Sequence, residues 1–160
     1  MPQSEGQTSG SARTHIAADP DRVWQCLSDV TALARWSPEG TTARWLDDAG
    51  GPVVGAQFKG SNKRGWSRWS TTCTVTESEP GRVFAFAVGS KPDTVWRYAL
   101  APADGGCEVT ESFTLHHPLT TAERVITWLT TGVRDREADL IRGMERTLFA
   151  LKTEVEGAKA

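Results

Sequence analysis

One carboxylate lies where the pattern of the chain predicts an apolar neighbourhood. In the segment GCEVTESFTL, strict alternation puts Glu111 between Val109 and Phe113, on the side that also carries the apolar residues. The turn ADGG just before this segment predicts a hairpin register in which Tyr98, the only tyrosine, stands opposite Glu111. A buried carboxylate needs hydrogen bonds or a counter-charge, or else it takes up a proton.

This pair suggests two roles. A desolvated glutamate beside a tyrosine can act as the acid/base of an enolisation or a dehydration. Alternatively, Glu111 ties the sheet to a helix through Arg134, Arg142 or a hydroxyl group. Arg64, if it points inward, would pair with Glu111 or hold an anionic group of a ligand. The sequence leaves these alternatives open.

The elements that position the pair are strands. From Thr41 onward the apolar period is two, and turn signals recur at DAGGP, KRG, EPG, GSKPD and ADGG. These signals separate six strands of an antiparallel meander. An extended segment at 11–18 adds another strand, so we expect about seven strands with one face covered and one face wet.

Helices account for the rest of the chain. Asp19-Pro20-Asp21 is a helix start, and a second short helix is predicted from Val30 to Arg35. Thr120–Glu123 has the form of a capping box and precedes apolar residues at three- and four-residue spacing. They predict one long C-terminal helix, with a bend expected near Gly132 and with this apolar face: Ala122, Val125, Ile126, Leu129, Val133, Leu140, Ile141, Met144, Leu148, Leu151 and Val155. The fold class is therefore α+β, a curved antiparallel sheet around that helix, with two short helices after the first strand.

The stretch GSNKRGWSRWSTTC is predicted to be a hairpin of this sheet, and its inward positions face the space under the long helix. Tryptophan rings with a nearby amide are typical of a ligand site, in which apolar walls carry a few fixed polar groups. Trp66 would close the turn or the pocket rim. The candidate ligand-binding residues are Phe58, Asn62, Arg64, Trp66, Trp69, Thr71, Cys73, Phe86, Trp96 and Phe113.

Length and charge limit the partners. A chain of 160 residues is one domain, which we expect at 11–156 after a flexible tail at 1–10. The net charge of −2 disfavours nucleic acid, for which Trp66 and Trp69 would stack bases beside Lys63, Arg64 and Arg68.

Cysteines and hydropathy add further expectations. The three scattered cysteines predict neither disulfides nor a metal site, and no cofactor motif is present, so we expect no cofactor. Since no hydrophobic run has membrane-spanning length, we expect no stable membrane insertion and a cytoplasmic setting. Nothing in the sequence indicates an oligomeric state.

Several phrases in order resemble the SRPBCC, or START-like, helix-grip superfamily, and more narrowly its polyketide cyclase/dehydrase-like branch. They are HIAADPDRVWQCLSD, ARWSPEG, EPGRVFAFAVG, VTESF and GMERTLFALKTEVE, and the resemblance extends from about Ala12 to Glu156. It implies a helix-grip fold with an internal cavity. Superfamily members include ligand carriers, hormone receptors, aromatase/cyclases and chaperone activators.

Three hypotheses follow from the resemblance and the residues. The first is a carrier or binding protein for a hydrophobic small molecule, polycyclic, polyketide-like or lipid-like. The second is a polyketide cyclase/dehydratase-like enzyme that uses Glu111 and Tyr98 as its acid/base pair. The third is a protein-interaction module of the chaperone-activator type, in which the surface matters more than the cavity.

Overall fold

The architecture is a seven-stranded sheet with short helices at one end and a long helix against it. The computed structural model describes residues 8–36, 40–48, 50–89, 94–115 and 136–157, together with Ala122, Val125 and Leu129. In chain order the elements are β1 (Thr8–Ile16), α1 (Pro20–Ser28), a 3-10 turn (Val30–Ala32), α2 (Leu33–Trp36), β2 (Gly40–Trp45), β3 (Gln57–Arg64), β4 (Ser67–Glu79), β5 (Val83–Val88), β6 (Thr94–Ala103), β7 (Gly106–Leu115) and α3 (Arg136–Gly157).

All neighbouring strands are antiparallel, in the spatial order β1-β7-β6-β5-β4-β3-β2. The meander from β2 to β7 and the strand before it confirm the predicted α+β helix-grip fold. The first strand, β1, pairs with the last strand, β7, and forms one edge of the sheet. It begins at Thr8 rather than at residue 11, and Thr8 is already opposite Leu115. Residues 8–10 thus have strand partners on β7, and the bounds of the domain and of the tail stay a prediction.

The sequence signals at the first helices work as expected. Asp19 has extended backbone angles, and its carboxylate accepts a hydrogen bond from the amide of Asp21 at 2.9 Å. Pro20 occupies the first helical position, where no amide hydrogen is needed. The predicted second helix is divided into the 3-10 turn and the four-residue α2.

Helix α3 covers the inner face with a single apolar stripe. Met144, Leu148, Leu151 and Val155 follow one another at four- and three-residue spacing, and each is at most 2% exposed. Neither α3 nor any other helix in the described ranges is both long and apolar enough to cross a membrane.

The same pattern fails further upstream. Ala122, Val125 and Leu129 are helical, but the side chains of Val125 and Leu129 are 47% and 69% exposed, so their assignment to the core face is wrong. Three- and four-residue spacing determines which residues share a face, but it does not determine whether the sheet reaches that face. The bend predicted at Gly132 lies outside the described residues.

Both ends of α3 are tied to the sheet, on opposite sides. Near its C-terminus, Lys152 donates to the carbonyl of His15 at 2.6 Å, and Glu156 accepts from the amide of Ala17 at 2.9 Å. Near its N-terminus, Asp139 accepts from Arg64 of β3 at 2.7 Å. The helix therefore connects the end of β1, at one edge of the sheet, with β3, next to the other edge.

A glycine lets the end of β1 approach the β6–β7 turn. A β-carbon on Gly106 would overlap the carbonyl oxygen of Ile16 and lie 2.9 Å from the α-carbon of Ala17. We expect Gly106→Ala to lower the free energy of unfolding by about 1–3 kcal/mol, the usual effect of overpacking. Urea titration followed by circular dichroism measures it.

The matched control is Gly143→Ala in α3, where a β-carbon would meet nothing within 4 Å. It should stabilise the protein by up to about 1 kcal/mol, because alanine favours a helix over glycine. Equal stabilities of the wild type and Gly106→Ala would contradict the close approach of β1 to this turn.

Candidate functional site

The predicted pair of Glu111 and Tyr98 is present. The two residues are directly opposite in the β6–β7 register, and the Tyr98 hydroxyl donates to Oε1 of Glu111 at 2.9 Å. Both side chains are buried, at 3% and 4% exposure. The other oxygen of the carboxyl group, Oε2, is also buried and has no hydrogen-bond partner among the described residues. Such an arrangement is costly for a carboxylate and much less costly for a neutral carboxyl group.

Burial raises the pKa of the Glu111 carboxyl from 4.5 to about 8, and the hydrogen bond from Tyr98 offsets part of that rise. The pKa of Tyr98 is raised well above 10 by burial and by the neighbouring Glu111. At neutral pH both groups are therefore protonated. Because Tyr98 donates to Oε1, the proton of Glu111 belongs on Oε2, which makes Oε2 a hydrogen-bond donor without an acceptor.

The pair lies between a packed end and a more open end of the inner face. Towards the β6–β7 turn, Leu100 and Val109 form the next inward pair and are at most 7% exposed. In the other direction the next inward pair is Trp96 with Phe113, about 7 Å away along the strands. Phe113 is buried, whereas Trp96 is half-buried. Glu111 thus lies at the inner limit of the region that is not fully buried.

A second half-buried group lies on the hairpin of β3 and β4, and the buried side chains of Phe86 and Val75 separate it from Trp96. Asn62 is opposite Trp69, and Gly60 is opposite Thr71. All four are on the inward parity, as predicted, and all are only half-buried. A β-carbon on Gly60 would meet only the Thr71 hydroxyl, at 3.9 Å, so there is room above this glycine. These residues could contact a ligand without being unpacked from the core.

The other predicted walls are packed against one another. The ring centroids of Phe58 and Phe86 are 5.1 Å apart, and those of Trp96 and Phe113 are 5.7 Å apart. Phe58, Phe86 and Phe113 are at most 8% exposed. Their inward orientation is as predicted, and their contact with a ligand stays a prediction.

Cys73 is a buried inward residue between the hairpin and this core. Burial raises the pKa of its thiol to about 11, and a weak hydrogen bond with the Thr71 hydroxyl only partly opposes that rise. A protonated, buried thiol is a poor nucleophile. The residue therefore acts as a small apolar filler of the core, and its contact with a ligand stays a prediction.

Trp66 and Arg64 complete the predicted ligand set. Trp66 occupies the β3–β4 turn, one of the two places expected for it, and is 97% exposed; its contact with a ligand stays a prediction. Arg64 does point inward, but it pairs with Asp139 rather than with Glu111. Arg142 is exposed, so it does not neutralise Glu111 either, and Arg134 is outside the described residues.

Sequence reasoning missed Asp139 and Trp45. Arg64 at an inward position required a counter-charge, but the long helix offers several acids and the pattern does not choose among them. Trp45 packs its ring edge-on against Phe58, with centroids 5.6 Å apart. Its register opposite Phe58 was the available signal, hidden by the long connection between β2 and β3.

The family of the chain follows from its sequence. Residues 7–156 match the model of the family described as "Polyketide cyclase / dehydrase and lipid transport". The chain belongs to this family. The predicted relation to the polyketide cyclase/dehydrase-like branch of the START-like helix-grip superfamily is therefore confirmed, and this family supports a ligand-binding or cyclase-type role. No curated protein sequence matches the chain.

Solved structures share the fold over the whole length of this family member. The Polyketide_cyc-like protein Cgl2372 from Corynebacterium glutamicum is 28% identical with a TM-score of 0.63, over 98% of this chain and 94% of that one. The AHSA1-like protein from Aeromonas hydrophila is 24% identical with a TM-score of 0.64, over 95% and 94%. The di-domain ARO/CYC StfQ from the steffimycin biosynthetic pathway is 14% identical with a TM-score of 0.73, over 96% of this chain and 52% of that one. The last two likenesses establish the fold alone.

The buried carboxyl should make stability depend on pH. Folded Glu111 keeps its proton up to about pH 8, whereas an ordinary glutamate releases it near 4.5. Between these values the native state binds more protons than the unfolded state, so the free energy of unfolding falls as the pH rises. We expect Glu111→Gln, which imitates the neutral acid, to be about as stable as the wild type at pH 5. At pH 9 it should be more stable than the wild type, by on the order of a few kcal/mol.

Urea unfolding at both pH values measures this difference. The control is Glu108→Gln on the wet face of the same strand, which should keep the pH dependence of the wild type. Parallel pH profiles for the wild type and Glu111→Gln would mean that Glu111 is ionised in the folded protein.

Proposed function

We propose that the protein binds a hydrophobic small molecule that carries an oxygen acceptor, at the half-buried end of the inner face. The observation that carries the proposal is the buried Oε2 atom of Glu111, which has no hydrogen-bond partner among the described residues. A carbonyl or hydroxyl oxygen of a ligand would complete the hydrogen bonding of this group. Leaving a buried polar group unpaired costs about 1–3 kcal/mol, which favours a ligand that pairs it.

The surroundings favour a large apolar body for this ligand. Trp69 and Trp96 provide half-buried rings, and Gly60 leaves room above the inner face of the sheet. Asn62 and Thr71 add polar groups on the same face. Mostly apolar walls with a few fixed polar groups are typical of small-molecule sites. Polycyclic, polyketide-like and lipid-like molecules with a carbonyl group have this combination, and a carrier needs nothing more.

A second candidate is a cyclase or dehydratase-like enzyme that uses the same pair. It is favoured by the pKa of about 8 for Glu111, close to the operating pH, and by the 2.9 Å hydrogen bond from Tyr98. In a dehydration, Glu111 would first take the proton next to a ligand carbonyl and would then return it from Oε2 to the leaving hydroxyl group, which departs as water. As a base, it would remove a proton next to a ligand carbonyl, with Tyr98 stabilising the carboxylate.

The third hypothesis, an interaction module, has a weaker basis. Its support is the fold shared with the AHSA1-like protein from Aeromonas hydrophila. A buried unpaired donor is of no use to a module that works through its surface. Absence of any small-molecule binding in the experiments below would bring this hypothesis forward.

Two tryptophans of one hairpin allow a matched test of the site. We expect Trp69→Ala to weaken binding of an apolar fluorescent probe by roughly tenfold, since about 1.4 kcal/mol of ring contact is lost. Trp66→Ala also removes a tryptophan side chain, but one that is 97% exposed in the turn, so it should leave the affinity for the probe unchanged. Probe titration of both variants and the wild type measures this. Equal losses in the two variants would place the probe outside the inner face.

Filling the site tests the same point without making a cavity. Gly60→Val adds a β-branched side chain suited to a strand at a position with space around it. We expect a folded protein with strongly reduced probe binding. If this variant binds the probe like the wild type, the ligand lies elsewhere.

The donor role of Glu111 predicts a preference that depends on pH. At pH 6 the wild type should bind a polycyclic ketone such as fluorenone about fivefold more tightly than the hydrocarbon fluorene, the effect of one hydrogen bond. At pH 9.5 the carboxyl is ionised, so the preference should disappear. Tryptophan quenching by the two compounds measures it. A preference that is the same at both pH values would exclude Oε2 as the donor.

The enzyme hypothesis is tested with the same variant. On a substrate that the wild type turns over, Glu111→Gln should lower kcat by roughly 10²-fold or more while affinity persists. Activity that falls above pH 8 indicates the acid, and activity that rises indicates the base. Comparable rates in the wild type, Glu111→Gln and Tyr98→Phe would end the catalytic hypothesis.

A further inference from the structure

The outer face of β2, β3 and β4 differs in charge from the chain as a whole. The protein has a net charge of −2, yet this face carries four exposed cations, Arg44, Lys59, Lys63 and Arg68. None of them makes an ion pair with a described residue. The outward residues between the cations carry hydroxyl groups, and they are Thr42, Ser61, Ser70 and Thr72. Among the described residues, no acid lies on this face from the hairpin turn to Thr72.

The register arranges these side chains in rows. Lys63 is opposite Arg68 next to the turn, and Ser61 is opposite Ser70 in the next row. Lys59 lies in the third row, opposite Arg44 on one side. Successive rows are about 7 Å apart, so the cations extend over about 14 Å from the turn.

The hairpin extends beyond β5 on one side, while β2 flanks β3 as far as Asn62 on the other side. Pairing of β4 with β5 begins at Cys73, opposite Val88. Among the described residues, positions 67–71 of β4 therefore have no strand on that side, and the arm extends by about 17 Å. At its tip Gly65 has a φ of +56°, which lets the two-residue turn form without strain and leaves Trp66 in solvent. We call this arm, residues 59–72, the basic arm.

We propose that the basic arm binds an anionic lipid surface. Trp66 would enter the boundary between headgroups and acyl chains, where tryptophan is favoured, and Lys63 and Arg68 would face the lipid phosphates. The attraction rests on charge complementarity: four cations that make no ion pair with a described residue, and no acid among the described outward residues from the hairpin turn to Thr72. This association is peripheral and separate from the inner-face site, since alternation places the two sets of side chains on opposite faces.

Other polyanions fit the basic arm less well. Nucleic acid binding without sequence preference uses several aromatic platforms for successive bases. Here Trp69 faces inward and Arg64 is engaged with Asp139, so Trp66 alone remains. A specific protein partner needs a shape-complementary interface with a buried core. The neighbours of Trp66 on this face are cations and hydroxyls, which fluid lipid headgroups can match in any arrangement.

The third row offers a recess for a headgroup. Between β2 and β3 lies an open groove of about 260 Å³, lined by Thr42, Ala43, Arg44, Lys59 and Ser61. Two cations and two hydroxyl-bearing residues in one recess suit a phosphate ester. Among the described residues, the acids next to β2 in the chain are Asp47 and Asp48, and they follow the end of β2 that is away from the hairpin turn.

Vesicle co-sedimentation of the full chain tests the proposal. We expect binding to phosphatidylcholine vesicles that contain about 30 mol % phosphatidylglycerol and little binding to phosphatidylcholine alone. Raising salt from about 0.1 M to about 0.5 M should weaken the binding. Lys63→Glu/Arg68→Glu should reduce it by roughly tenfold or more, and Trp66→Ala by several-fold. Both variants should keep the probe affinity of the wild type.

Matched controls lie on the exposed face of α3. Arg142→Glu/Arg146→Glu makes the same charge change, and Phe149→Ala removes a 71% exposed ring. These variants should bind vesicles much more like the wild type than the arm variants do. Equal losses in the arm and the control variants would overturn the proposal, because they would reflect total charge only.

Two further outcomes would also overturn it. If soluble glycerol phosphate displaces the protein completely, the face binds a phosphate ester and not a lipid surface. If a single-stranded oligonucleotide binds in a way that Lys63→Glu/Arg68→Glu abolishes, while vesicles do not bind, the arm recognises nucleic acid. Circular dichroism and melting temperatures of every variant confirm that differences arise at the surface and not from unfolding.

Discussion

The structure depends on how much of one sheet face a single helix can cover. Helix α3 offers a stripe of four fully buried residues, and its two ends are tied to opposite sides of the sheet. A seven-stranded antiparallel sheet is roughly 29 Å wide across its strands, whereas a helix with its side chains is about 10 Å wide, so the sheet must curve to meet the helix and does not meet it everywhere. Where the contact is complete, the inner face is a packed core. Towards the β3–β4 turn, side chains of the same parity are only half-buried.

That partial coverage explains why Glu111 can be kept. In a fully packed core, an unpaired donor would lower the stability of the protein and serve no purpose. Here the inner face of the sheet changes from fully packed to half-buried within two rows of residues, and the donor lies next to the half-buried part. The hydrogen bond from Tyr98 fixes the carboxyl and directs its proton to the free oxygen. Burial raises the pKa of this carboxyl so far that its neutral form dominates at neutral pH. A site of this kind is prepared for an oxygen acceptor before any ligand arrives.

Much of the sheet could be predicted from the sequence, for a physical reason. The side-chain period in a strand is two, so one correctly placed turn fixes a whole register, and the pair of Glu111 with Tyr98 followed from the turn at 103–106. Longer connections broke this logic: Trp45 opposite Phe58 escaped notice, because β2 and β3 are joined by a long loop. Helical patterns were less reliable still. They grouped Val125 and Leu129 correctly on one face, but could not tell that this face is exposed.

Alternation also explains how one short hairpin can hold two different chemistries. Trp69 and Lys63 are on neighbouring strands, yet they belong to opposite faces. Trp69 lies opposite Asn62, and Lys63 is the next residue of that strand, whose side chain points to the other face. The turn completes the separation, since its two residues follow neither face and carry Trp66 out past both. Arg64 would join the outer cations if the register slipped by one residue. Its pair with Asp139 at 2.7 Å holds it on the inner side and fastens the hairpin to α3. Strand parity and this ion pair therefore both keep Arg64 apart from the cations of the outer face.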